Sequence, residues 1–373
     1  GVDTLTLSDN TLDGVVLSLG TGSDVVNVSQ TNLSSTDKIN AGSADTDVLN
    51  ISDTTGTLSF ADAIFTNLSN FETLNLGNGS NDTITLGSTY VKAAGFTKVY
   101  GQGGDDSITI SDTTNLITVD GGTGGSDSLT LSTDNMSFTN LTISNFETIN
   151  VNGSENLSGK LDSSVTAINI ANGKTLTVGA ADLDGKTISV TATGNLTINA
   201  TATAADHDFG GITKTGTGTI TLNVAGTVDL SGHNLGAVNY ITVATTGQTV
   251  TLTDSQLSSL TTVSGLGNVT VKVSADSSTD FATKLVTTGT ETINFTANSI
   301  FSGTLGNSSS SIDSGVTVSA TGSVIDGKTI SGAGTLNITG TGDGNLDLTN
   351  VTSVLTADID NGATTLSNLG VNL

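Results

Sequence analysis

Residues 101–110 read GQGGDDSITI, in which three glycines and two adjacent aspartates stand directly before an alternating Ser-Ile-Thr-Ile run. Glycine admits positive φ and close backbone approach, so the stretch reads as a tight turn feeding a strand. Two carboxylates in one turn repel each other unless something positive lies between them. Hard, oxygen-seeking calcium is the natural partner. It takes carboxylates together with turn carbonyls at about 2.3–2.6 Å and tolerates irregular geometry, whereas magnesium demands octahedral order. Zinc or copper would want thiols or a histidine cluster, and the chain has no Cys and only two His.

The pattern recurs. GTGGSDSLT (122–130), GNGSNDTIT (77–85) and GSADTDVLN (42–50) share with GQGGDDSIT (101–109) the order Gly, four residues, Asp, one residue, an aliphatic, then Thr or Asn. GTGSDVVNV (20–28) is a shortened copy. The expected calcium set is therefore Asp24, Asp47, Asp82, Asp106 and Asp127, with Asp105 and the turn glycines Gly101, Gly103, Gly122 and Gly124. Copies start 21 to 35 residues apart, which places one acidic turn on each coil of a larger repeat.

A second repeat runs beside the first. SNFETLNL (69–76) returns as SNFETINV (144–151), with a degenerate TETINF at 290–295. Phe71 and Phe146 read as inward anchors, and Glu72 and Glu147 as either solvated outward charges or extra ligands. Beyond residue 160 the acidic turn is lost but the period persists. NLTINA (195–200), GTITLNV (218–224), NYITVA (239–244), QTVTLT (248–253), NVTVKV (268–273), ETINFT (291–296), VTVSA (316–320) and TLNITG (335–340) alternate Thr or Asn with aliphatics. That alternation is the period of a strand with one buried face. Turn signals such as ANGKT (171–175) and DGKT (184–187 and 326–329) separate them. Helical patterning is confined to 277–286, 60–68 and 254–260.

Strands at a 20–24-residue period, with glycine corners and no proline, predict an all-β parallel β-solenoid of about 16 rungs, stacked ~4.8 Å apart. Like positions then stack over like, and Asp47, Asp82, Asp106 and Asp127 are expected along one edge. Two sections follow from the distribution of acids. Residues 1–160 hold 19 of the 35 acids and every acidic turn, and 161–373 form a calcium-poorer continuation with no linker between.

The glycine–aspartate turns at 101–109, 122–130 and 77–85 resemble the nonapeptide of RTX (repeat-in-toxin) proteins, whose turns build a calcium-loaded parallel β-roll. Here the turns are isolated in longer coils rather than tandem. The NFET rungs and the Thr/Asn/Gly/Asp-rich composition are similar to bacterial surface-layer proteins and giant RTX adhesins. The resemblance implies Ca²⁺ as cofactor, export to the cell surface, and folding outside the cell.

Composition narrows the function. Net charge is −25, with ten lysines and no arginine, so no basic stripe exists to neutralise nucleic-acid phosphates. No 18-residue apolar run is present to insert in a membrane. The chain opens and stops in mid-pattern, and it reads as a segment of something longer. The leading expectation is a calcium-dependent, secreted structural protein of surface-layer type. It would assemble with like subunits into a lattice or filament, with cell-surface polysaccharide or lipopolysaccharide as a second class of partner. An RTX adhesin segment is the alternative. A polysaccharide-active β-helix enzyme is disfavoured by the scattered lysines and the lack of Trp. Its best polar cluster would be Asp206, His207 and Asp208, while His233 reads as a turn residue. Ice binding is invited by TLTL (4–7), TITL (83–86), TLTV (175–178), TITL (219–222) and TVTL (249–252), but Asn, Ala, Lys and Ser interrupt the array.

Overall fold

A computed structural model describes residues 1–8, 14–43, 45–87, 89–200, 207–339, 346–358 and 366–367. Asp206 and part of the 335–340 strand segment lie outside these residues. So does Asp343, which with Asp347 in GTGDGNLDLTN (340–350) reads from the sequence as a weaker ion site; Asp347 lies within them. The fold is all-β, with parallel strands stacked as a β-solenoid of about 15 turns and only a few short helices. The chain divides into two compact units, Gly1–Leu196 with Gly211–Gly218, and Thr197–Gly210 with Thr219–Leu373.

In the first unit, a seven-stranded sheet runs from Thr4–Leu7 through Val25–Val28, Val48–Ile51, Thr73–Asn75, Lys98–Tyr100 and Thr118–Asp120 to Thr142–Ser144. An eight-stranded sheet runs from Thr57–Phe60 through Asn81–Leu86, Ser107–Ile110, Ser128–Leu131, Thr148–Val151, Ala167–Ile170 and Ile188–Ala192 to Ile212–Thr215. Successive strands of one sheet lie a full turn apart in sequence, so each aliphatic stacks on its counterpart. Ile108 pairs with Ile84 on one side and Leu129 on the other, and Ile110 with Leu86 and Leu131. All six are fully buried. Burying such a side chain contributes about 1.5–3 kcal/mol, and this aliphatic column replaces the aromatic core the composition does not supply. The second unit repeats the scheme. Leu252, Val271 and Ile293 stack in a six-stranded sheet that starts at Val228–Asp229 and ends at Ile330–Gly332.

Helices occur where the sequence patterning pointed, at Asp62–Phe65 (one 3₁₀ turn), Asp254–Ser259 and Phe281–Lys284, and also at Tyr90–Ala94 and Gly322–Ile325. Thr253 starts Asp254–Ser259 with a capping box, accepting from the Gln256 amide while the Gln256 side chain accepts from its own. Polar side chains stack as regularly as apolar ones. The Asn75 amide donates to Asn50 at 2.8 Å and Asn50 to Asn27 at 2.9 Å. Phe71 and Phe146 are the inward anchors the NFET repeat required, both fully buried.

Candidate functional site

The acids of the glycine turns form two ladders rather than one edge. Asp24 and Asp47 precede strands of the seven-stranded sheet; Asp106 and Asp127 precede strands of the eight-stranded sheet, and Asp82 lies just inside one. The expected alignment of Asp47 with Asp82, Asp106 and Asp127 is thereby corrected. A Gly-x4-Asp turn can open either sheet, because both sheets leave a glycine corner in the same way.

Within each ladder the linkage is identical. The backbone amide of one acid donates to the carboxylate of the acid one turn later. In the first ladder the amide of Asp3 donates to Asp24 at 2.8 Å, Asp24 to Asp47 at 2.7 Å, and Asp47 to Glu72 at 2.7 Å. In the second, Asp82 donates to Asp106 at 2.8 Å, Asp106 to Asp127 at 2.7 Å, and Asp127 to Glu147 at 2.7 Å. A strand entering from a corner leaves its first amide without a ladder partner, and a carboxylate from the adjacent turn supplies one.

Glu72 and Glu147 are therefore neither solvated charges nor free ligands. Each ends a ladder, and the following turn then offers threonine, with Thr97 Oγ1 donating to the Glu72 carbonyl at 3.2 Å and Thr166 Oγ1 to that of Glu147 at 3.3 Å. The NFET motif thus reads residue by residue. Asn70 and Asn145 turn the corner at φ 59 and 57, a left-handed conformation Asn tolerates; the phenylalanine enters the core, the glutamate closes the ladder, and the threonine opens the strand. The signal was in the sequence, since the two NFET copies each follow a run of acidic turns. The degenerate copy differs, because Glu291 is itself the first residue of a strand and accepts from Thr287 and Ser308 at 3.2 Å.

The turn glycines shape this geometry. A side chain at Gly101 would collide with the Gly121 carbonyl and with Asp106 Oδ2, so glycine is what lets the aspartate fold back under the corner. The Gly101 amide donates to the Asp120 carbonyl at 2.8 Å, and Gly103 bridges to Asn78. Gly122 donates to Asp120 Oδ1 at 2.9 Å, whereas Gly124, at φ 83, faces open space. Tyr100 pairs with Asp120 but Ser107 with Ser128, so the second of these two corners carries one extra residue. Asp105 is exposed; its amide donates to Asn81 at 2.9 Å, and its Oδ1 accepts from Ser126 at 2.8 Å.

Asp24, Asp47, Asp82, Asp106 and Asp127 are all buried, at 3% exposure or less. Burial raises the Asp82 carboxyl, against bonds from Ser80 and Gly77, and Asp53 adds to the rise. Burial, with the charges of Asp82, Asp127 and Asp105, pushes Asp106 up to about 7, against the bond from the Asp82 amide. Burial, with Glu147, Asp105 and Asp120, lifts Asp127 to about 6, against the bond from the Asp106 amide. Asp24 Oδ2, Asp82 Oδ1 and Asp106 Oδ2 are buried with no hydrogen-bond partner. One further acid behaves alike and was not singled out from the sequence. Glu155 accepts from the Met136 amide at 3.0 Å and leaves Oε1 unpartnered; burial raises it to about 7, with Asp134 adding.

Calcium asks for six to eight oxygens around one point. Each ladder carboxylate already gives one oxygen to an amide, and the three orphaned oxygens lie on different turns. Among the described residues, no group of three or more Asp, Glu or His could hold a metal ion. The ladder acids do not fit a resident calcium as its cage.

Four of the ten lysines are spent in the converse way. Lys160 Nζ donates to the Leu141 carbonyl at 3.0 Å, Lys186 Nζ to that of Asp162 at 2.8 Å, and Lys328 Nζ to that of Gly306 at 2.6 Å. Lys284 Nζ donates to the carbonyls of Ser258 and Leu260. In the remaining polar candidates, Asp208 accepts from the Gly210 amide at 2.8 Å, and His233 lies in a turn with its carbonyl accepting from Gln256 at 2.6 Å. Threonines do not make an unbroken face. The outward column Ser107, Ser128, Thr148 meets Ala167, and Thr109, Thr130 meets Asn150 and Asn169. Among the described residues, no helix is long and apolar enough to cross a membrane. In comparisons with known proteins, no family model, no curated protein and no solved structure matches the chain.

Proposed function

We propose that the protein is a structural solenoid of extracellular assemblies, of bacterial surface-layer type, whose repetitive acidic exterior is bridged to like subunits by calcium. The observation that carries this reading is where the reactive side chains go. The ladder acids, the stacked asparagines and the lysine clamps each bond the neighbouring turn, as in Asp106 to Asp127, Asn75 to Asn50 and Lys186 to Asp162. Such a molecule invests its polar chemistry in repeating itself. Calcium acts here as a counter-ion shared among exposed carboxylates, which a chain of net charge −25 requires before copies can approach each other. Electron microscopy at millimolar calcium, set against EGTA and against equal magnesium, tests the reading. Sheets or filaments with calcium alone are expected, and monodisperse monomers in every condition would overturn self-assembly in favour of an adhesin segment.

A further inference from the structure

We propose that the second ladder is a proton-locked spine, in which the unpartnered oxygens of Asp82 and Asp106 carry hydrogens, so that the first unit is firmest in acidic surroundings and loosens as pH rises to neutrality. The geometry carries this. Asp82, Asp106, Asp127 and Glu147 succeed one another along one column of turns through 2.7–2.8 Å amide-to-carboxylate bonds. Adjacent turns of a parallel stack lie ~4.8 Å apart. Like charges at that spacing, away from water, disfavour full ionisation. The other charges that act on the column are acids as well, namely Asp53 on Asp82, Asp105 on Asp106, and Asp105 and Asp120 on Asp127.

A second observation is independent of charge. Asp106 Oδ2 and the Gly121 carbonyl oxygen converge on the space that a side chain of Gly101 would fill. Two acceptors facing one spot leave Oδ2 without a partner; a carboxyl hydrogen turns one of them into a donor. The raised values of Asp106, about 7, and Asp127, about 6, agree in direction. Because the folded values lie above the ordinary 3.8, the folded state holds more protons between about pH 4 and pH 7. Stability is therefore full below that window and falls as pH rises through it, by up to about tenfold in the folding constant per pH unit for each proton held.

The test uses dispersed, metal-free full-length chain, so that it stands apart from assembly. Thermal melting of the first unit is followed from pH 5 to pH 8 in EGTA, for the parent and for Asp106→Asn, which keeps an acceptor for the Asp82 amide and cannot ionise. The expected result is a melting temperature that falls toward pH 8 in the parent and falls less in Asp106→Asn. A pH-independent parent, or a variant with the parent's slope, would overturn the proposal. So would rescue of the parent at pH 8 by calcium that Asp106→Asn does not share, since the orphaned oxygen would then be taking a cation. Should the variant fail to fold, the carboxyl ¹³C shift of Asp106 in the labelled parent decides. Titration near pH 7 supports the spine, and titration near pH 4 refutes it.

Discussion

The molecule turns its corners in two chemically opposite ways. Before residue 150 the corner is Gly-x4-Asp, and a carboxylate reaches across to an amide of the turn before, as Asp127 does for Asp106. From residue 159 onward the corner is often Gly-Lys, with glycine left-handed at φ 71 for Gly159, 63 for Gly185 and 65 for Gly327, and the following ammonium reaching carbonyls of an earlier turn. Both solve one problem, since a chain that bends out of a sheet strands its last carbonyls or its next amides. The acid supplies acceptors and the lysine supplies donors. What separates them is the cost of concentration. Acids stacked on successive turns repel, whereas the lysine clamps are spread through the sequence, each among neutral carbonyls. The acid corners also leave buried side-chain oxygens with no partner, on Asp24, Asp82 and Asp106.

Substitutions can break this comparison, in descending order of effect. Gly101→Val should be the most damaging, because its side chain would meet the Gly121 carbonyl and the Asp106 carboxylate; a loss of about 3 kcal/mol or more is expected in chemical denaturation. Gly124→Ala, facing open space, should lose only about 1 kcal/mol through its left-handed backbone. If the two cost the same, the close-approach account of the motif fails. Next, Asp106→Ala strands the Asp82 amide and should cost about 1–3 kcal/mol. Lys186→Met removes donors from carbonyls at the edge of solvent and should cost about 1 kcal/mol, and unlike Asp106→Ala it should leave the pH dependence of melting unchanged. The smallest effect belongs to a surface ion pair, Lys272 with Asp229 at 2.8 Å. Partial burial works upward on Asp229, but bonds from Lys272 and Ser231 hold its carboxyl down at about 2. Lys272→Met should cost less than about 1 kcal/mol, and that cost should vanish in molar salt. An effect that persists there would mean the pair is more than a screened contact.

The fold was legible because its signals are local and repeated. NLTINA is a strand over its full length, Asn195–Ala200, and NVTVKV over Asn268–Val273, since alternation fixes both the strand and its buried face. The acids of the turns were legible as a constellation but not as a geometry. Position in a repeat says that Asp82 and Asp106 stack; it does not say that Asp47 belongs to another sheet, because the two sheets share the same corner composition. Nor does it say which way a carboxylate points. An aspartate aimed outward at an ion and one folded inward onto an amide have the same neighbours in sequence, and only the space left by Gly101 separates them. Glu155 was invisible for a related reason. In NGSENLSG it looks like any polar loop residue, yet it opens a strand whose partner Leu176 is fully buried.

The direction of the ladder bonds has a consequence for how such chains vary in length. Every acidic turn offers a carboxylate backward and an amide forward, so a duplicated turn fits between any two others without new chemistry. Glutamate followed by threonine is a stop that ends the run on any turn. Growth by whole turns is therefore nearly free, while a single inserted residue must be absorbed in a glycine corner, as the extra residue before Asp127 is beside Gly124 and Gly125.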